Sequence, residues 1–165
     1  MSRPLELRPF YSTWARQQKL LLESIRPLTP EQMELRPAPG QWAIWQLCSN
    51  MAGGRLLWFC NVLGEDDLGV SQVFRWGWED DEDHPRSAEE IVDVLEKTWS
   101  IVEASLDRWT LADLGIEVAR TDAPGAERTI TPGWVIAHLT AHEVHHGSEV
   151  SLILRVHGLP TSINR

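Results

Sequence analysis

Between residues 138 and 150 the chain reads HLTAHEVHHGSEV, and four of its six histidines, His138, His142, His145 and His146, fall there. Histidine forms helices less well than Glu, Lys or Gln, so a helix that needed only a polar surface has better residues available. His142 and His146 stand at i, i+4, a spacing that stacks two side chains on one helix face. Two imidazoles so placed can share a divalent cation, with nitrogen–zinc distances of about 2.0–2.1 Å. A single core-facing histidine is more often a hydrogen-bonded structural residue, because each buried ring nitrogen needs a partner. The pairing at chelating spacing, beside two further histidines, is what points to a metal or to catalysis. A catalytic divalent metal takes about three protein ligands, so another helix must contribute.

At roughly 100° per residue, Val135, Leu139, Val150 and Ile153 share a sector of roughly 60°, the stripe expected to face the core. His142 and His146 fall in or just beside that sector; His138 and His145 lie on one flank. The opposite face is small: Ala137, Ala141, Val144, Gly147, Ser148 and Ser151. Such a face suits close internal packing or contact with the same helix of a second copy.

The elements that carry these residues are helices. Apolar positions recur with helical rhythm from residue 5 to 26, where Pro27 ends the run. Thr29-Pro30-Glu31 reads as an N-cap with proline at the first helical position, opening one short turn that Pro37 and Pro39 close. A second apolar helix spans 42–63 and stops at Gly64. Ser87-Ala88-Glu89-Glu90 is a capping box for a third, running to about Trp109. Thr131-Pro132 opens a fourth, which Gly158 and Pro160 stop. Residues 64–86 form a long loop between helices two and three, of the length associated with lids, and its acidic run Glu79 to Asp83 reads as a solvated edge. IEVAR and ERTIT flank DAPGA as a short hairpin before the last helix. The pattern predicts an all-α single domain over residues 1–165, a four-helix bundle.

Composition narrows the function. A net charge of -9 with 15 scattered basic residues gives nucleic acid no clustered positive surface, so no such partner is expected. No apolar run approaches a membrane span and no secretory leader is read at the start, which predicts a cytoplasmic protein with no membrane partner. Cys48 and Cys60 lie in one predicted helix about 18 Å apart, too far to bridge. Nine tryptophans stand against one tyrosine. Trp42, Trp45, Trp58, Trp99, Trp109 and Trp134 read chiefly as core volume, whereas Trp76 and Trp78, in the loop sequence RWGW, read as rings that cap a pocket or anchor the loop.

GQWAIWQLCSNMAGG, followed by TPGWVIAHLTAHEVHHGSEV, resembles the DinB superfamily, four-helix-bundle proteins that include mycothiol-dependent maleylpyruvate isomerase. The likeness spans nearly the whole chain in helix order and is specific over the fourth-helix motif and the Trp42 to Asn50 segment. It implies a Zn or Ni site built from a second-helix histidine and two fourth-helix residues, here His142 and His146, with positions open to water or a thiolate. The second-helix histidine is replaced by Asn50, whose neutral amide oxygen is the poorer ligand. His138, His145 and Glu149 are auxiliary candidates, Glu149 as a partner orienting an imidazole N–H. His145 or an acid of the long loop can stand in for the missing ligand. The resemblance implies a metal-dependent enzyme that activates a thiol or water for transfer or hydrolysis on a small molecule, with a low-molecular-weight thiol as partner and a homodimer as assembly. Its alternative is a metal-free bundle, binding a small ligand or serving a stress response as a dimer, with the site eroded at Asn50.

Overall fold

The computed structural model describes residues 7–75, 77–121 and 127–163. Its long elements are the helices α1 (Ser12–Ile25), α3 (Ile44–Arg55), α4 (Ala88–Arg108) and α5 (Pro132–Val156), with the single-turn helix α2 (Pro30–Met33) between the first two. Helix α1 packs on α4 and α5, and α3 packs on the same two, so the four long helices close a ring around one core. Three helix starts carry the cap their sequence announces. Thr29 and Gln32 exchange backbone and side-chain hydrogen bonds at α2, Ser87 and Glu90 do the same at α4, and Thr131 Oγ1 accepts from Trp134 N at α5.

The observed bounds differ from the sequence reading in two places. Pro9 leaves Arg8–Tyr11 as a 3₁₀ turn leading into α1. The second apolar helix starts at Ile44, capped when Ala43 N donates to Gln46 Oε1, and its last stretch, Leu56–Val62, widens into a π-helix before Gly64 turns the chain at φ 74°. That wider winding aims both Trp58 and Phe59 into the interior.

The hairpin pairs β1 (Val118–Thr121) with β2 (Glu127–Ile130) antiparallel, so that Arg120 faces Arg128 directly; the DAPGA turn lies outside the described residues. The long loop is not structureless. It makes two short 3₁₀ turns, Val70–Gln72 and Trp78–Asp80, and buries Val70, Phe74 and Glu79. No described helix is long and apolar enough to cross a membrane.

Candidate functional site

Helix α5 turns Val135, Leu139, Val150 and Ile153 fully inward. His142 and His146 sit at the edge of that stripe, partly buried, with ring centroids 4.5 Å apart, while His145 is exposed. From α3, Asn50 reaches across: its Oδ1 lies 2.9 Å from His142 Nε2, and its Nδ2 donates to Glu79 Oε1 at 2.8 Å. The second bond fixes the first. With the amide N–H₂ turned to a carboxylate, the oxygen faces the imidazole, so His142 Nε2 carries the proton it donates to Asn50. One turn earlier on α3, Gln46 Nε2 donates to the Glu79 backbone oxygen at 2.8 Å. Two amides at i, i+4 thus pin the loop acid onto the helix. Glu79 is buried rather than part of a solvated edge, because Gly77, at φ 95°, and the turn after it rotate it inward while Asp80, Glu82 and Asp83 stay outside.

His146 Nδ1 donates to Glu149 Oε2 at 2.6 Å, which leaves Nε2 as its acceptor nitrogen. The ligand-type atoms of His145, His146 and Glu149 lie within 4.8 Å of one another, the His145 Nε2 to Glu149 Oε1 distance being 3.7 Å. His138 stacks face to face on Trp134, 4.8 Å between centroids, and packs edge-on to Trp58 at 5.2 Å. A cavity of about 120 Å³ opens here, lined by Asn50, Gly54, Leu57, Trp58, His138 and His142. A larger groove of about 650 Å³ runs between the N-terminal turn and α4 past Tyr11, Ala15, Trp99 and Leu106, and no histidine is among the residues lining it.

Burial, and after it the neighbouring imidazoles His146, His138 and His145, push the His142 ring down to about 4, so it is neutral near pH 7. His138 is also held below its ordinary value, by burial first and then by the guanidiniums of Arg128 and Arg120. Burial raises both thiols, Cys48 to about 12 and Cys60 to about 11, the latter with help from Asp67, Glu65 and Asp66.

A divalent cation among these residues would meet donors of unequal strength, and the histidine–carboxylate group whose ligand atoms lie together is His145, His146 and Glu149. His146 is prepared as a ligand, since Glu149 holds its other nitrogen. His142 Nδ1 is buried with no hydrogen-bond partner, so that ring lacks the corresponding support. Asn50 adds an amide oxygen, weaker toward zinc or nickel than a third imidazole.

The tryptophans divide differently from the sequence reading. Trp45 and Trp58 are core, whereas Trp42 and Trp134 are 37% and 39% exposed and border the histidines instead, Trp42 with its ring centroid 6.0 Å from that of His146. Trp78 packs against Phe74 and beneath the Arg86 guanidinium, so it anchors the loop, and Trp58 is the ring that walls the cavity. Trp76 lies outside the described residues.

Sequence reasoning missed the buried polar centre beneath the site. Arg55, fully buried, donates from Nε and Nη2 to the two carboxylate oxygens of Glu143, both at 2.7 Å, and from Nη2 to Gln18 Oε1 and Nη1 to the Leu95 carbonyl. Trp14 Nε1 completes Glu143 at 2.8 Å. The available signal was Glu143 itself, an acid beside His142 on the same helix, with Arg55 one turn beyond Asn50 on the facing one.

The fold is shared with solved structures. A DinB-like protein from Bacillus cereus superposes with a TM-score of 0.67 at 22% identity, over 95% of this chain and 97% of that one. A conserved protein from Enterococcus faecalis gives 0.66 at 16% identity, over 92% and 99%. A DinB-like protein from Bacillus subtilis gives 0.61 at 17% identity, over 95% and 99%. No curated protein matches the sequence. The sequence pattern of the DinB family matches residues 1–163, and the chain belongs to that family.

Proposed function

We propose that the chain is a divalent-metal-dependent enzyme acting by transfer or hydrolysis on a small molecule, with His142, His146 and Asn50 around a Zn or Ni ion. The observation that carries this reading is the meeting of Asn50 and His142 from facing helices beside His146, whose ring Glu149 already orients. Bound there, a divalent cation would lower the pKa of a thiol or water toward neutrality, supplying a nucleophile without a dedicated base. The chain's own residues prepare the place. Burial keeps the His142 ring neutral, as a ligand must be, its proton passing from Nε2 to Nδ1 if Nε2 is to ligate, and Glu79 sets a carboxylate one amide away from it. Neither cysteine is a thiolate near neutral pH, so a reacting thiol belongs to a small molecule.

Metal analysis of freshly purified, untagged protein tests the reading. We expect Zn or Ni to be retained through dialysis or taken up on titration, His146→Ala to abolish uptake, and Asn50→His to tighten it roughly tenfold or more by supplying a third imidazole. Failure of both the wild type and Asn50→His to take up either metal would overturn the reading in favour of a metal-free ligand-binding bundle.

A further inference from the structure

His146 meets a second set of donors on its solvent side. Helix α5 turns about 100° per residue, so Glu149 lies one turn beyond His145 and His146 and between them in angle. The three side chains converge accordingly, one ligand-type atom from each lying within 4.8 Å of the other two. Glu149 Oε1 stands 3.7 Å from His145 Nε2, and Glu149 Oε2 stands 2.6 Å from His146 Nδ1. Two donors bound to one tetrahedral zinc at about 2.0–2.1 Å are roughly 3.3 Å apart, so small side-chain movements bring this group to a shared ion. The His145 and Glu149 side chains are 69% and 41% exposed, which gives an ion a direct path from solvent. The inner set is harder to reach. Asn50 Oδ1 and His142 Nε2 are bonded to each other, and His142 Nδ1 is buried, so an ion there must first break that bond. The outer set also supplies a formal negative charge, which the amide of Asn50 lacks.

We propose a second cation position, outside the first, in which His145, His146 and Glu149 hold a zinc or nickel ion independently of Asn50 and His142. The proposal rests on reading this cluster as a metal centre, and it adds where the ion is captured. His146 is common to both positions and serves one at a time. In the outer position Nδ1 ligates, and the proton it shared with Glu149 moves to Nε2. In the inner position Nε2 ligates, and Nδ1 keeps that proton. The ring is neutral in either case, so the two positions differ by a tautomer and compete for one ion.

The test is a titration of zinc alone into the chelator-treated full chain, with affinity read by calorimetry and the imidazole nitrogens of His145 followed by NMR. We expect zinc to shift the His145 ring signals saturably, and His145→Ala and Glu149→Gln each to weaken binding roughly tenfold or more. His142→Asn should bind as the wild type does. His145→Ala is the deciding variant, because His145 is exposed and has no part in the inner set, so its loss leaves both the core and that set in place. Undiminished binding by His145→Ala, an unshifted His145 ring, or loss of binding by His142→Asn would overturn the proposal. Asn50→His reads the inner position separately. Tighter binding that His145→Ala no longer weakens supports the inner set, and unchanged affinity removes it, while the outer set stands or falls on His145→Ala in the wild-type chain.

Discussion

Asn50 stands between partners with opposite requirements, an imidazole that donates and a carboxylate that accepts, and an amide satisfies both at once. The arrangement leaves His142 neutral and its Nδ1 unpaired, so protonating that ring places a charge in a half-buried site among three other imidazoles. A pH dependence follows. The folded chain holds His142 at about 4, against about 6.5 when unfolded, so between those values the unfolded chain binds the extra proton. This contribution to stability is complete above about pH 6.5, declines as pH falls toward 4, and is flat below. Urea midpoints of chelator-treated wild type and His142→Asn, measured from pH 7 to 4, should differ most at pH 7 and draw together as pH falls. A constant gap would mean that His142 titrates at its ordinary value in the fold. The placement of His142 beside the core stripe was readable from a helical wheel, and Asn50 opposite it was named through the family resemblance; the other partner of Asn50 was not readable. Glu79 opens a run of five acids, a pattern that reads as solvated, and only the left-handed Gly77 before it turns that one carboxylate inward.

Helix starts were the most legible elements, because Thr29, Ser87 and Thr131 each supply a local signal within three residues of the bond they make. The buried polar centre was illegible for the opposite reason. Arg55 and Glu143 are 88 residues apart, and although each stands near a histidine-site residue in sequence, neither names the other as its partner. Their pairing ties α1, α3, α4 and α5 together through Gln18, Trp14 and the Leu95 carbonyl, directly below the histidines. A buried pair of this kind costs desolvation on formation, yet removing one partner leaves the other charge stranded. Arg55→Met or Glu143→Leu alone should therefore cost roughly 3–5 kcal/mol in urea unfolding. The double variant should lose clearly less than the two losses added, since neither charge is then orphaned. Strict additivity would show that the two side chains are stabilised independently of each other.

For the molecule as a whole, the open matter is what α5 does on its outer side. The small face read from sequence is divided in the structure: Gly147 and Ser151 are buried, whereas Ala137, Ala141, Val144 and Ser148 are exposed. The exposed part continues along one line of the helix, in steps of four, to Leu152 and Val156, which are 54% and 61% exposed. An apolar stripe of this length on a surface helix is more typical of an interface than of a monomer. Small residues at one end and branched ones at the other let two such helices cross closely about a two-fold axis, the commonest closed symmetry. We propose a homodimer built on this stripe. The charge of -9 per chain opposes association only weakly at physiological salt, where screening acts over about 8 Å. Light scattering at micromolar concentration should give twice the 18.8 kDa of one chain, and Leu152→Lys should return the mass to a single chain without loss of helicity. A monomer mass for the wild type would remove the dimer, and a dimer that survives Leu152→Lys would place its interface on another face.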